Sequence, residues 1–209
     1  MLARARARAR SAAANPTGPG AHRQGMTIVT LSGSLRAVSS NAALLQAAAA
    51  LAPPGMQVVH YTGLGELPPF NPDLDGEGAA ASAPAPVRVL RALLGRADGF
   101  VISSPEYAHG VPGAFKNALD WVVSSGELVE KPIILLNAAP AGGQHAHAAL
   151  VEILRTMSAE VLTEASHLQP FLPRKLGPGA SLDDASAAAL RRCLAALAQA
   201  VTARLSSPA

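Results

Sequence analysis

The chain reads as one α/β domain: a five-stranded parallel sheet in strand order 2-1-3-4-5, with helices on both faces as a three-layer sandwich. Three observations predict it. From Met26 onward, short apolar, β-branched runs alternate with helix-length segments, which is the pattern of βαβ units with right-handed crossovers. The runs ADGFVIS (97–103) and KPIILLN (131–137) are apolar throughout rather than alternating, as strands covered on both faces should be. The length of 209 residues, 49% of them hydrophobic, suffices for a single domain with a sizeable core.

Element by element, MTIVTLS (26–32) is the first strand. SNAALLQAAAALA (40–52) is an Ala/Leu helix stopped by Pro53, Pro54 and Gly55, and MQVVHY (56–61) is the second strand. A long turn-rich loop spans 62–78. PAPVRVLRALLGRA (84–97) is a helix leading into the third strand at 97–103. After Pro112, which suits a first helical turn, Ala114, Phe115, Ala118, Leu119 and Val122 recur on one face of a helix that ends near Ser124–Gly126. The fourth strand is 131–137. A helix follows over 145–159, then a fifth strand over 160–166 and a closing helix over 183–205. In this strand order a ligand sits at the switch point between strands one and three, outside their carboxyl ends.

Charge divides the chain in two. The net charge is +3, but five of the 17 basic side chains (Arg4, Arg6, Arg8, Arg10 and Arg23) precede Met26 and no acidic one does. The remainder carries 12 basic against 14 acidic groups, so the basic signal belongs to the tail and gives no reason to expect nucleic acid as a partner. Aromatic content of 3% also argues against a base-stacking single-strand binder. Residues 1–25 read as a non-native upstream extension or a disordered tail, and 26–209 as the domain. An arm for a polyanion and a transit-like segment are the competing readings of that tail. Cys193 is the only cysteine, which excludes an intramolecular disulfide, and helical spacing with Leu190, Leu194, Leu197 and Val201 makes it a small buried hydrophobe. No apolar run reaches the length of a membrane span, so no membrane partner is expected and a reducing, cytoplasmic setting is.

Chemistry concentrates in three loops, each after a strand. In the first, Gly33 allows a tight turn, and Ser39, Ser40 or Asn41 can cap the next helix. The helix N-terminus, the hydroxyls of Ser34 and Ser39 and the Arg36 guanidinium form a donor set suited to a phosphate. Ordinary capping beside a solvated arginine is the alternative. No Gly-Lys-Ser/Thr follows, so this is not a mononucleotide P-loop, and it is not GxGxxG. In the second loop Pro105, Gly110, Pro112 and Gly113 restrict a polar turn that includes Glu106, Tyr107, Ala108 and His109. In the third, Asn137–Gly143, small residues such as Ala139 and Gly142 let a flat group approach the backbone. His145 and His147 lie two apart on a helix, do not share a face and have no flanking carboxylate or cysteine, so no metal site is expected there.

Together these loops carry a family resemblance. Gly33-Ser34-Leu35-Arg36, then Ser39 and Asn41, resembles the first signature of the NADPH-dependent FMN reductase family. Pro105-Glu106-Tyr107, Pro112-Gly113, Lys116-Asn117 and Asp120-Trp121 resemble the second. The resemblance covers about Met26 to Leu172 and implies a flavodoxin-like fold. It implies that Ser34, Arg36, Ser39, Ser40 and Asn41 hold the FMN phosphate, and that Pro105, Glu106, Tyr107 and Ala108 edge the isoalloxazine through backbone amides and the Tyr107 ring. It further implies that Ala139 and Gly142 lie against the ring. Ala108 stands where the family usually has Asn, which removes one side-chain amide from that set. His109 faces either the mouth of that site or solvent.

By the same resemblance the activity is a ping-pong transfer from NADPH or NADH, through flavin N5, to a small acceptor such as a quinone, azo dye, nitro compound, chromate or free flavin. No catalytic side chain is assigned, and a homodimer or homotetramer is expected, with Trp121, Val122 and Val123 fitting either its interface or the core. A non-enzymatic flavodoxin-like carrier and a cofactor-less interaction module are the rival readings. The nearly neutral body and the arginine in the first loop weigh against the carrier.

Overall fold

A computed structural model describes residues 25–75, 83–139, 142–166 and 182–207. Residues 1–24 of the expected extension lie outside that set, as do Pro140 and Ala141 of the third loop and the end of the signature-bearing region after residue 166. Strands β1 (Met26–Ser32), β2 (Met56–Tyr61), β3 (Gly99–Ser103), β4 (Pro132–Leu136) and β5 (Glu160–Val161) form one parallel sheet in the order β2-β1-β3-β4-β5. Helices α1 (Ser40–Ala50), α2 (Ala85–Arg96), α3 (Gly113–Asp120), α4 (Gln144–Thr156) and α5 (Asp184–Ser206) alternate with them. Two short 3₁₀ turns, Gly63–Glu66 and Pro72–Leu74, punctuate the long loop after β2.

The three layers follow from strand pleat. Val29, Leu31, Phe100, Ile102, Ile133 and Leu135 pack on one side with Leu90 and Leu94 of α2, Phe115 of α3 and Leu150 and Leu154 of α4. Their neighbours in sequence, Ile28, Val101, Ile134 and Leu136, face the other side and meet Leu44 of α1 and Leu190, Leu194, Leu197 and Val201 of α5. Every residue of β3 and β4 is buried, which is why these strands read as unbroken apolar runs. Cys193 is buried in the α1/α5 layer, and burial pushes its thiol up from the ordinary value.

Two expectations are corrected. The fifth strand was expected over 160–166 but pairs only at Glu160 and Val161. Leu162 N–H still reaches Ile133 O at 2.9 Å, but the chain then turns, with Ala165 and Ser166 N–H both bonded to Leu162 O. The next ladder donor, Leu135 N–H, is met by the Ser166 hydroxyl at 3.0 Å, so a side chain replaces further strand pairing. The helix after Pro112 was expected to run to Ser124–Gly126 but ends at Asp120. The Trp121 carbonyl, which a longer helix would use, accepts from both Nε and Nη2 of Arg91.

Much of the second signature turns out to hold this architecture. Asn117 Oδ1 accepts from Phe70 N–H at 2.7 Å, while its Nδ2 donates to Pro68 O at 2.9 Å. Trp121 Nε1 donates to the same carbonyl at 2.8 Å, and its ring meets Phe70 edge-on at 5.0 Å. Trp121 and Val122 are fully buried, so they belong to the core, and of the three residues weighed for an interface only Val123 is exposed. Lys116 and Asp120 form the surface i,i+4 pair at 2.6 Å. Asn117→Ala strands the Phe70 N–H and is expected to lower stability by about 1–3 kcal/mol, read as a fall in Tm with the fold retained by circular dichroism.

Candidate functional site

The register of the three central strands sets the site. Ser32 pairs with Ser103, and Ser103 with Leu136, so the loops beginning at Gly33, Ser104 and Asn137 leave the sheet side by side. The first two cross at contact distance: a Cβ on Gly33 would stand 2.2 Å from Ser104 Oγ and 3.1 Å from Ser104 Cα. Gly33 N–H also bonds Ser103 O at 2.9 Å. Only glycine fits there.

The first loop is built to present donors. Ser39 caps α1, its hydroxyl accepting from Ala42 N–H at 3.3 Å. The first N–H groups of the helix, at Ser40 and Asn41, have no acceptor within it and face outward at the positive end of its dipole. Ser34, half-buried, receives Arg36 N–H on its hydroxyl at 3.3 Å, and the Arg36 side chain is exposed. Asn41 does something the sequence did not disclose. Its Oδ1 accepts from the Ser103 hydroxyl at 2.9 Å, in a bond buried at the sheet edge that ties the first loop to the end of β3.

The second loop is a tight reversal. Tyr107 and Gly110 exchange backbone bonds, 3.1 and 2.9 Å, around Ala108 and His109, both with positive φ (48° and 58°). That is the sign pattern of a type I′ turn, which asparagine and glycine populate readily and Ala-His does not, so the turn stores strain. Tyr107, Ala108 and His109 are exposed, and Pro105 and Glu106 half-buried.

The third loop depends on the second. Helix α4 begins after Gly143, at φ 95°, which has no side chain to cap it, and a Cβ there would come within 3.0 Å of Asn137 Oδ1. The cap comes from elsewhere: Glu106 Oε2 accepts from Ala146 N–H at 2.9 Å. That N–H holds the Glu106 carboxyl below its ordinary value, partial desolvation opposing it and the His145 N–H and the His145 and His109 charges assisting. Asn137 organises the rest, Oδ1 accepting from Ala139 N–H at 2.9 Å and Nδ2 donating to Gly142 O at 3.3 Å. Ala139 is half-buried and Gly142 exposed, with small side chains on that wall.

All eleven sequence-assigned site residues therefore stand on these three loops at one edge of the sheet, but they divide by task. Ser39, Asn41 and Glu106 spend their side chains on holding the loops, while Ser34, Arg36, Tyr107, Ala108 and Gly142 leave atoms facing outward. Sequence reasoning missed Ser103 and Asn137 as loop anchors and the Glu106 cap. A helix opening on Gly-Gly without Ser, Thr, Asp or Asn was the available signal that its cap comes from another segment. It weighed His145 only against His147 and set that pair aside, whereas the His145 ring stacks on His109 from the second loop, 4.2 Å between centroids at 21°. A cavity of about 790 Å³ beside Thr27, Gln57, Val59 and Arg96 lies at the other end, among the amino ends of β1 and β2. Topology rather than cavity volume selects the site.

Two outcomes follow from this geometry. Gly33→Ala must displace Ser104 or the backbone beneath it and is expected to cost about 1–3 kcal/mol in a chemical denaturation. Because the folded Glu106 value is lowered, its contribution to stability is complete above the unfolded value of 4.5 and is lost as pH falls through the folded one. Glu106→Gln should then flatten the acid limb of a Tm-against-pH curve below that point while leaving the neutral fold intact.

Comparison with known proteins agrees with this layout. A quinone reductase of Escherichia coli strain K12 is 31% identical over 157 residues, which is 73% of this chain and 82% of the relative. An NAD(P)H-dependent FMN reductase of Pseudomonas aeruginosa is 34% identical over 114 residues, 54% of this chain and 59% of its own. Among solved structures, the flavoenzyme NAD(P)H:(acceptor) oxidoreductase FerB from Paracoccus denitrificans superposes with a TM-score of 0.72 at 24% identity, covering 85% of this chain and 98% of that one. A WrbA-like flavodoxin from Agrobacterium tumefaciens, at TM-score 0.53 and 14% identity over 88% of this chain and all of its own, shares the fold. The model of the NADPH-dependent FMN reductase family matches residues 26–170, spanning all three loops. The chain belongs to the NADPH-dependent FMN reductase family, an oxidoreductase family that works with FMN and NAD(P)H.

Proposed function

We propose that the cup formed by residues 33–41, 104–112, 137–139 and 142–143 holds FMN, and that the protein oxidises NAD(P)H and reduces quinones, free flavin or similar small acceptors. One observation carries the reading. Two buried or helix-capping side-chain bonds, Ser103–Asn41 and Glu106–Ala146, lock three loops from different strands into a single cup at the switch point.

The residues present fit the cofactor. The outward N–H groups at the start of α1, the Ser34 hydroxyl and the Arg36 guanidinium are a donor set for a phosphate, with no carboxylate among them. The exposed Tyr107–Ala108 turn and the Ala139 and Gly142 backbone offer flat, small-residue walls. Bound FMN would supply the hydride and electron chemistry that no side chain here can provide. The chain's own share is position: Arg36 neutralises charge at one end, and the rigid turn keeps backbone amides at fixed spacing. The exposed mouth admits one flat co-substrate at a time. Two substrates using one opening must alternate, which is the basis for a ping-pong order.

A homodimer or homotetramer goes with this reading; of Trp121, Val122 and Val123 only Val123, 36% exposed, is at the surface to take part in such an interface. No helix among the described residues is long and apolar enough to cross a membrane, and a cytoplasmic site of action goes with this reading.

The decisive experiment mixes purified protein with FMN and then adds NADPH anaerobically. Absorption bands near about 370 and 450 nm, those of oxidised flavin, should appear on the protein and bleach with NADPH. Bound flavin left unreduced by both NADPH and NADH points to a carrier instead, and no binding points to an interaction module. With a quinone as acceptor, double-reciprocal plots should give parallel lines, and converging lines would overturn alternation. Arg36→Ala should weaken FMN binding about 10- to 100-fold, the worth of one charge-assisted hydrogen bond, measured by fluorescence titration, without a change in Tm of the apoprotein.

A further inference from the structure

We propose that Glu106, His109 and His145 form a binding site for one divalent transition-metal ion of the zinc type at the rim of the cup, and that its occupation obstructs the mouth. The second part rests on the reading above; the first does not. One ligand atom from each of the three residues lies within 4.8 Å of the other two. Glu106 and His109 come from the second loop and His145 from the first turn of α4, and no spacing in the sequence brings them together. A tetrahedral ion with bonds of about 2.1 Å needs its ligands about 3.4 Å apart. Both imidazoles are exposed, so no core packing opposes the side-chain adjustment that binding an ion asks for.

Charge permits it. The start of α4 is the positive end of a helix dipole and would by itself repel a cation. That end is equivalent to only about half a charge, and it is already met by the full negative charge of Glu106. Glu106 accepts the Ala146 N–H on Oε2 and is also bonded by the His145 N–H, which fixes the carboxylate as a bonded ligand should be, and its two oxygens carry lone pairs beyond these two bonds for an ion. Two imidazoles and one carboxylate suit zinc and its first-row neighbours. They lack the six or more oxygens that calcium takes and the thiolates that copper(I) prefers. Three protein ligands leave a fourth position to water or to an oxygen of an incoming molecule. The His109 imidazole, carried by the reversal at φ 58°, lies against His145 in the first turn of α4.

Calorimetry of the chelator-treated full chain with zinc chloride tests the site without any flavin present, so its result is separate from that of FMN binding. One saturable Zn²⁺ per chain is expected. His109→Asn, chosen because asparagine tolerates positive φ, and His145→Ala should each weaken it by more than about 100-fold, since even an outer partner of a ligand is worth about 10- to 100-fold. His147→Ala, on another face of α4, should leave it unchanged. Cobalt(II) should bind with the visible absorption of a four-coordinate ion. Absence of saturable zinc binding, or binding undiminished in both His109→Asn and His145→Ala, overturns the site. In FMN-loaded protein, zinc should inhibit quinone reduction by the parent and not by His109→Asn; inhibition equal in the two overturns the obstruction.

Discussion

The site depends on the register that lays Ser32, Ser103 and Leu136 abreast at the carboxyl edge of the sheet. A parallel sheet ends all its strands in the same direction, so three loops remote in sequence must emerge together. Register decides which residues of those loops meet. It puts Gly33 against Ser104 so closely that no side chain fits between them, and it sets the Ser103 hydroxyl where Asn41 can accept from it. A slip of one residue would turn Val29, Phe100 and Ile133 to the opposite face and scatter these contacts, so core packing and site geometry are enforced by the same alternation.

The motif residues of this chain serve two ends, and the structure separates them. Asn117 and Trp121 hold Pro68, and Arg91, which lies outside the motifs, joins Asp75 to the end of α3. They are buried or half-buried. Glu106, Asn41 and Ser39 lie one step nearer, tying loops to each other and to helix starts. Of the assigned site residues, Arg36, Tyr107, Ala108 and Gly142 are exposed, as is His109 beside them, and Ser34 is half-buried. A sequence pattern marks all of these alike, because a residue that fixes a loop and one that touches a ligand are constrained by the same local geometry.

Two of the four non-glycine residues with positive φ among the described residues lie where the cup opens. Ala108 and His109 occupy left-handed backbone without the glycine or asparagine that would relieve it, and the reciprocal Tyr107–Gly110 bonds hold them there. The reversal keeps the exposed Tyr107 ring and the His109 imidazole at the mouth, and the stacking on His145 links that mouth to the start of α4.

By itself the sequence determined the fold class, the strand order, the two covered faces and the three loops, because apolar period, helix stops and loop composition are local signals. The buried runs 97–103 and 131–137 already declared their central place, and Gly33, Ser39 and Pro112 declared turns and helix starts. Only tertiary structure decided what depends on partners far along the chain. Ser166 ended β5 by accepting the Leu135 N–H on its hydroxyl oxygen in place of a strand. Arg91 ended α3 by taking the Trp121 carbonyl. Glu106 capped a helix that starts 38 residues later, and His109 met His145 rather than His147. Each is a hydrogen bond or contact whose second member a local pattern cannot see, since it is fixed by sheet register and crossover length rather than by neighbouring residues.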